Sequence, residues 1–290
     1  MERTVKTADG RILAVTEGGD PRGRPVLAHM GTPNSRLLYG PTADDAARHG
    51  LRLISYDRPG YGGSTAQPGR TVADCAADVE EICAELDIDR LATWGISGGG
   101  PHVLACAALL PGLVVAAASL ASPAPFGADG LDYFEGMGQI NVDDIMLTLR
   151  DPEAAREKLE HDREQFLAAS PAQVAQGMRS LLSPVDAAVL TGEMAKFMTQ
   201  STRDGLAPGG QGWWDDGWAE STPWGFELSA ISVPVLLMHG RQDRFVPFGH
   251  GQWLAARIPG VDARLLDNDG HLTLMECRIS EVHAWLSARL

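Results

Sequence analysis

Gly95-Ile96-Ser97-Gly98-Gly99 stands between the apolar run Leu91–Ile96 and a segment with the pattern of a buried helix. A serine at such a junction needs a very tight turn, which only small neighbours permit. The turn raises the hydroxyl above the end of the strand and points the first N–H groups of the helix at the same place. The pentapeptide therefore predicts a strand–turn–helix unit that presents Ser97 as a candidate nucleophile.

Apolar runs alternate with helical segments on both sides of this turn. Besides Leu91–Ile96, the pattern predicts seven strands, over Thr4–Thr7, Ile12–Thr16, Val26–His29, Leu51–Tyr56, Leu113–Leu120, Val233–His239 and Ala263–Leu266. Asp9-Gly10, between the first two runs, is typical of a hairpin. Strands that alternate with helices indicate a mostly parallel sheet with helices on both faces. We expect an α/β fold with an eight-stranded sheet.

The middle of the chain has a different character. Strand patterns stop after Leu113–Leu120, and helical segments follow, with a loop rich in Gly, Trp and Asp over Asp204–Gly225. We expect three parts: residues 1–122 of the core, an inserted helical cap over 123–228, and residues 229–290 of the core, which end in one helix over Leu274–Ala288. The cap is expected to lie over the carboxyl ends of the strands, where such sheets bind ligands.

His271 is the candidate base for Ser97. A serine hydroxyl is a weak nucleophile until a base takes its proton. His271 ends the run Asp267-Asn268-Asp269-Gly270-His271, whose turn residues follow the last predicted strand and so lie at the carboxyl edge of the sheet. The seven other histidines lie on predicted helices or at strand ends, and we expect structural roles for them.

Asp243 is the candidate acid that orients the base. A buried carboxylate fixes the tautomer of the histidine and stabilises the imidazolium that forms. Asp243 follows the strand Val233–His239 in a turn, again at the carboxyl edge. Asp267 and Asp269 are alternatives, but near neighbours on one loop rarely face the ring nitrogen. The chain order Ser, Asp, His then matches the order known for a serine on a strand-to-helix turn.

Two backbone N–H groups are candidate donors to a negatively charged oxygen in the transition state. One is the amide of Gly98, which follows the nucleophile. The other is expected on the loop Met30-Gly31-Thr32-Pro33, where Gly31 lets the backbone approach closely. We favour the Thr32 amide as this second donor.

Taken together, these segments resemble the α/β-hydrolase superfamily, and within it the capped esterases and proline-iminopeptidase-like enzymes. The resemblance covers residues 1–122 and 229–290 and is carried by His29-Met30-Gly31-Thr32-Pro33, Asp57-Arg58-Pro59-Gly60-Tyr61-Gly62-Gly63-Ser64, Gly95-Ile96-Ser97-Gly98-Gly99-Gly100-Pro101, His239-Gly240-Arg241-Gln242-Asp243-Arg244-Phe245-Val246-Pro247 and Gly270-His271. Relatives usually have histidine where this chain has Met30. Dehalogenase and epoxide-hydrolase relatives carry aspartate at the nucleophile position, so Ser97 favours acyl transfer to water.

The resemblance also implies a cap that shapes the substrate pocket. Trp224 and Phe226 lie where the cap returns to the core, and we expect them to form a pocket wall. Gly31 and Ile96, which adjoin the two functional turns, are further candidate pocket residues. Met and Trp side chains in the cap suit an apolar acyl or aryl group.

Composition narrows the partners. The formal net charge of −14 argues against nucleic acid, because an acidic chain gains nothing from releasing the counterions of phosphates. No apolar leader and no membrane span are predicted. The four cysteines show no metal-site spacing and read as thiols of a reducing cytoplasm. We expect a cytoplasmic protein, monomer or homodimer, that acts on a small molecule without metal or organic cofactor.

Three functions remain open at this point. The first is hydrolysis of a carboxylic ester, or a related acyl bond, of a small to medium apolar substrate through an acyl-enzyme. The second is a proline-iminopeptidase-like amidase that holds the free amine of its substrate with acidic groups. The third belongs to another class, a ligand sensor without catalytic activity.

Overall fold

An eight-stranded sheet runs through the core of the computed structural model, which describes residues 1–290. The strands lie side by side in the order β1-β2-β4-β3-β5-β6-β7-β8. Their bounds are β1 Glu2–Lys6, β2 Ile12–Gly19, β3 Arg24–His29, β4 Leu51–Tyr56, β5 Leu91–Ile96, β6 Val114–Leu120, β7 Val235–Gly240 and β8 Asp262–Leu266. The predicted α/β fold with eight strands is confirmed.

The direction of the strands sets where the functional loops lie. β1 pairs antiparallel with β2, and β2 pairs antiparallel with β4. Gly10 makes the first turn with φ +86°, a conformation that glycine adopts without strain. All pairs from β4 to β8 are parallel. The loops that follow β3, β5, β7 and β8 therefore leave the sheet at one edge, the carboxyl edge.

Helices cover both faces of the sheet and bury an apolar layer on each. One layer contains side chains of α2 (Cys75–Glu85), α3 (Gly99–Leu109) and α10 (Phe248–Ala255). The other contains side chains of α1 (Gly40–Arg48), α11 (Leu272–Cys277) and α12 (Ile279–Ser287). Neighbouring residues of one strand, such as Val26 and Leu27, belong to different layers, as expected for a strand buried on both faces.

Between β6 and β7 the chain forms helices and no strands; we call residues 123–228 the insertion. Its α-helices are α4 Gln139–Arg150, α5 Pro152–Ala168, α6 Pro171–Gly177, α7 Pro184–Val189, α8 Gly192–Leu206 and α9 Gln211–Glu220. The loop predicted over Asp204–Gly225 is wrong, because this stretch contains α9. Burial explains the difference: Trp214 and Asp216 are buried on α9, and packing overrides the low helix propensity of its glycines.

The single helix predicted over Leu274–Ala288 is also wrong. α11 and α12 are separate helices that meet at Arg278, whose guanidinium binds the carboxylate of Asp269 at 3.0 Å. The break turns the apolar side of α12 onto the sheet, where Val282 and Leu286 are fully buried. None of the helices in the structure combines the length and the apolar character that crossing a membrane requires.

Candidate active site

Ser97 lies directly after β5 in a strained backbone conformation. Its φ is +57°, a left-handed value that is uncommon for residues other than glycine and costs roughly 1–3 kcal/mol. The turn is held by hydrogen bonds from Ser97 N–H to Leu120 O (2.9 Å) and from Gly100 N–H to Ser97 O (2.8 Å). α3 begins at Gly99, so the serine occupies the strand-to-helix turn that the pentapeptide predicts.

Close packing explains why three positions of this turn are glycine. A Cβ at Gly95 would lie 2.6 Å from Gly99 O, and a Cβ at Gly99 would overlap the carbonyl oxygen of His29. A Cβ at Gly100 would overlap the side chain of Ser122. Because real Cβ atoms do not come this close to other atoms, larger residues would push α3 away from the sheet.

Asp243 and His271, from the loops after β7 and β8, form a buried pair. His271 Nδ1 and Asp243 Oδ2 are 2.7 Å apart, and the other oxygen of Asp243 accepts hydrogen bonds from the N–H groups of Phe245 (2.8 Å) and Val246 (2.9 Å). Burial disfavours the charged imidazole, but the Asp243 carboxylate outweighs it and raises the pKa of His271 above its ordinary value. Nδ1 is therefore the donor in this pair, and Nε2 is left to act on substrate.

The imidazole of His271 stacks on Phe245 with ring centroids 4.6 Å apart, which fixes the plane of the ring. The structure forms no hydrogen bond between Ser97 Oγ and His271 Nε2. Catalytic pairs of this kind are often loose in a free enzyme and tighten in the complex with substrate. Ser97, Asp243 and His271 thus lie at the carboxyl edge, and the direct contact within the group is between Asp243 and His271.

Asp186 of the insertion holds the backbone of His271. It is fully buried on α7, and its carboxylate accepts hydrogen bonds from the N–H groups of His271 (3.0 Å), Leu272 (2.8 Å) and Thr273 (3.3 Å). These are the free N–H groups at the start of α11, where a negative charge is favourable. The sequence gives no sign of this contact, because nothing around Asp186 in its short helix indicates a partner 85 residues away.

Two free N–H groups lie beside the nucleophile. Neither the Thr32 N–H nor the Gly98 N–H donates a hydrogen bond within the protein. The two residues touch, because a Cβ at Gly98 would overlap Thr32 Oγ1. Gly31 lies close to the serine as well: a Cβ there would be 3.4 Å from the Cβ of Ser97. The free donors and the nucleophile therefore share one corner of the carboxyl edge, as an oxyanion hole requires.

A buried ion cluster holds the Thr32 loop. Asp216 of α9 is fully buried, binds Arg58 and Arg70 at 2.5 Å each, and accepts hydrogen bonds from Tyr61 Oη (2.9 Å) and Thr32 Oγ1 (2.8 Å). Burial alone would raise the pKa of Asp216, but the charges of Arg58 and Arg70 outweigh it and hold the pKa well below its usual range. We call Arg58, Tyr61, Arg70 and Asp216 the anchor cluster.

Arg58 extends the anchor cluster to the backbone of the Thr32 loop. Its guanidinium donates to the carbonyl oxygens of Met30 and Gly31 and, at 3.0 Å, to Thr32 Oγ1. This charged side chain supplies an anchor for a loop in which Met30 stands where relatives usually have histidine. The motif Asp57-Arg58-Pro59-Gly60 marks Arg58 in the sequence, but nothing there indicates Asp216 as its partner.

Comparison with known proteins agrees with this geometry. A sequence profile of the family described as the alpha/beta hydrolase fold matches residues 24–276. The chain belongs to the α/β-hydrolase family. It is 26% identical over 275 residues to the AB hydrolase superfamily protein YisY of Bacillus subtilis, a match that covers 93% of this chain and 92% of the relative.

One further relative of this α/β-hydrolase and one solved structure carry esterase in their names. The chain is 28% identical over 248 residues to the bifunctional esterase/perhydrolase DCH of Acinetobacter calcoaceticus, covering 84% of this chain and 83% of the relative. The esterase EaEST of Exiguobacterium antarcticum has the same fold, with a TM-score of 0.72 at 20% identity and coverage of 99% and 100%. One sequence relative of this α/β-hydrolase is thus named an esterase, and the solved esterase shares its fold.

Three other buried histidines of the α/β-hydrolase bind backbone groups. His102 Nδ1 and His239 Nε2 bind the carbonyl oxygens of Gly98 (2.8 Å) and Val246 (2.9 Å). His250 bridges the backbone N–H of Ala124 (3.0 Å) and the carbonyl of Tyr133 (2.9 Å). Burial lowers the pKa of His102 to about 3 and that of His250 to about 4, so both rings are neutral.

One group of side chains has the composition of a metal site. Asp45, His49 and His283 have ligand atoms within 4.8 Å of one another, between α1 and α12 and away from the carboxyl edge. The carboxylate of Asp45 already binds His283 Nδ1 (2.7 Å) and Arg48 (2.9 Å). These contacts explain why the three side chains lie together: they link α1 to α12.

The structure places Trp224 and Phe226 in the hydrophobic layer with α2 and α3. Their rings stack with centroids 5.7 Å apart, and Trp224 O accepts a hydrogen bond from the N–H of Ala73 (2.9 Å), two residues before α2. Packing in this layer accounts for both rings, and their role as a pocket wall stays a prediction. Ile96 is buried in the opposite layer, directly before the nucleophile.

A cleft of about 810 Å³ opens at the rim of the insertion. Its lining includes Asp243, the partner of His271, together with Arg241, Arg244 and Arg257, but neither Ser97 nor His271. The cleft therefore reaches the candidate site only on the side of Asp243.

Proposed function

We propose that this α/β-hydrolase cleaves a carboxylic ester of a small to medium, mostly apolar substrate through an acyl-enzyme intermediate. Ser97 is the nucleophile, His271 the general base and Asp243 the acid that orients it. The observation that carries the proposal is the buried hydrogen bond between Asp243 and His271, at the edge of the sheet where Ser97 stands on a strained turn.

The reaction follows from the groups at this corner. His271 Nε2 takes the proton of Ser97 as Oγ attacks the ester carbonyl, and the N–H groups of Thr32 and Gly98 stabilise the oxyanion. The imidazolium then gives its proton to the leaving alcohol, which leaves the acyl group on Ser97. Water, deprotonated by His271, attacks the acyl-enzyme, and collapse of the second intermediate returns the proton to Ser97 and releases the acid.

The preference for an ester of an apolar acyl or aryl group rests on two observations. Phe245 lies flat against the imidazole of His271 and gives the site an aromatic surface. The relative DCH, which is named an esterase/perhydrolase, supports ester chemistry. No metal or organic cofactor takes part in the proposed steps.

The test is turnover of p-nitrophenyl butyrate by the wild-type protein and by Ser97→Ala. We expect the variant to lose about 10⁴-fold or more of kcat/KM while its circular dichroism and thermal unfolding stay unchanged. Ser180→Ala, at an exposed serine of the insertion, is the matched control and should retain full activity.

Labelling by a fluorophosphonate separates catalysis from ligand sensing. The proposal requires that the probe labels the wild-type protein at Ser97 and leaves Ser97→Ala unlabelled. Wild-type protein that neither reacts with the probe nor cleaves any ester would speak for a sensor and against the proposal.

A further inference from the structure

Glu220 brings an unexplained carboxyl group to the proposed oxyanion hole. It is the last residue of α9, one helical turn after Asp216. A Cβ built on Gly98 would lie 2.6 Å from Glu220 Oε1 and would overlap Thr32 Oγ1. The carboxyl group therefore touches the residue whose N–H is proposed to hold the carbonyl oxygen of the substrate.

The side chain of Glu220 has no partner that would explain its place. Oε1 is shut off from solvent and forms no hydrogen bond, although the residue as a whole is only half-buried. A buried polar atom without a partner costs about 1–3 kcal/mol, and native proteins keep few of them. Glu220 forms no ion pair with the anchor cluster, because the guanidinium groups of Arg58 and Arg70 bind Asp216.

The charges around Glu220 favour its neutral form. Burial, together with the negative charge of Asp216, raises the pKa of Glu220 to about 8 against the opposing charges of Arg58 and Arg70. Tyr133, the other titratable group near it, is uncharged because burial raises its pKa. Near neutral pH most Glu220 side chains therefore carry a proton and offer one O–H donor and one C=O acceptor.

A hydroxyl group is the substrate group that matches this pair, because it both donates and accepts a hydrogen bond. An ammonium group would face the net positive charge of Arg58, Arg70 and Asp216 and would require Glu220 to ionise. Because Oε1 is shut off from solvent, a substrate reaches the carboxyl group at Oε2, and a saturated chain would leave that oxygen without a partner. The closeness to Gly98 restricts the hydroxyl to a carbon near the scissile carbonyl.

We propose that Glu220 is a specificity-determining residue whose carboxyl group binds a hydroxyl group on the second or third carbon of the acyl chain. The inference rests on the proposed ester hydrolysis at Ser97 and names its substrate class, an ester of a hydroxylated, otherwise apolar acid. In this proposal α9 acts on the site through two residues: Asp216 binds the Thr32 loop, and Glu220 binds the substrate.

The experiment compares two substrates that differ by one hydroxyl group, ethyl butyrate and ethyl 3-hydroxybutyrate. The readout is the ratio of kcat/KM for the hydroxylated ester to that for the plain ester, in the wild-type protein, Glu220→Gln and Glu220→Leu. We expect a ratio of about ten for the wild-type protein, the factor of one net hydrogen bond. Glu220→Gln keeps a donor and an acceptor and should therefore show nearly the wild-type ratio. Glu220→Leu should bring the ratio to about one.

Glu220→Met, with an unbranched side chain, replaces Glu220→Leu in the comparison if the leucine variant does not fold. Glu193→Gln, an exposed position of the insertion, is the control and should show the wild-type ratio. The inference is overturned if the apolar variants keep the wild-type ratio, or if the wild-type protein prefers ethyl 3-aminobutyrate over both other esters.

The two proposals fail in different ways. If no variant and no ester shows turnover above the Ser97→Ala blank, ester hydrolysis itself is wrong. If the wild-type protein cleaves ethyl butyrate above that blank but its ratio does not depend on residue 220, ester hydrolysis stands and the role of Glu220 is wrong.

Discussion

The carboxylate of Asp186, in the insertion, accepts a 3.0 Å hydrogen bond from the backbone N–H of His271, in the core. The two carboxylate groups around this histidine have separate tasks: Asp243 binds the ring, and Asp186 binds the backbone. The fit is tight, because a Cβ at Gly270 would overlap the Asp186 carboxylate. The position of the proposed base therefore depends on the insertion as well as on the sheet.

Asp186→Asn is expected to lower kcat/KM by about 10- to 100-fold, since small displacements of a reacting group cost about that much. The negative charge of Asp186 also helps to raise the pKa of His271, so its removal should move the acid limb of the pH–kcat/KM profile to lower pH. Profiles of the variant, the wild-type protein and the exposed control Glu153→Gln test both points. An acid limb that does not move would mean that Asp186 acts only through the fold.

Asp243→Asn should reduce kcat/KM near neutral pH by about 10⁴-fold, because the amide no longer selects the tautomer of His271. The sign of the pH effect follows from the pKa of His271, which Asp243 raises. Its loss lowers that pKa, so the remaining activity should persist to lower pH than in the wild-type protein. Asp267→Asn is the matched control from the same edge of the sheet, where Asp267 is exposed and binds Arg241. Equal losses in both variants would contradict the assignment.

Cys277 should be the one thiol that reacts in the folded protein. Cys75, Cys83 and Cys106 are buried and out of reach of a reagent, whereas Cys277 is exposed. Titration with an aromatic disulfide reagent should modify one thiol per native chain and all four after denaturation. Cys277→Ser should abolish the native reaction. Rapid modification of that variant would show that one of the buried helices opens.

The fold and the three proposed catalytic residues could be named from the sequence because their signals are local. Each of Ser97, Asp243 and His271 lies within five residues after a strand, and parallel strands end at one edge. Asp267 and Asp269 lie at the same edge as Asp243. The 2.7 Å contact between Asp243 and His271 is what distinguishes Asp243 from these two alternatives.

The residues that hold the site could not be named in the same way. Asp186 lies 85 residues from His271 in the chain, and Asp216 lies 184 residues from Thr32. Both belong to the insertion, whose helices carry no periodic signal strong enough to orient them. The Gly, Trp and Asp content of α9 predicts a loop, and a loop gives no helix face on which Asp216 and Glu220 could be placed. Their roles exist only once tertiary packing has formed the helix.

Asp216→Asn tests the anchor cluster. The amide would leave Arg58 and Arg70 buried without their counter-charge, which should lower the free energy of unfolding by about 3–5 kcal/mol. The Thr32 loop would also lose the acceptor that binds Thr32 Oγ1, so kcat should fall even at temperatures where the variant remains folded. Denaturant unfolding and kcat are measured together, with Asp204→Asn, at an exposed residue of α8, as the control. A variant that loses stability but keeps the wild-type kcat would contradict the prediction. It would mean that the anchor cluster does not position the proposed oxyanion donor at Thr32.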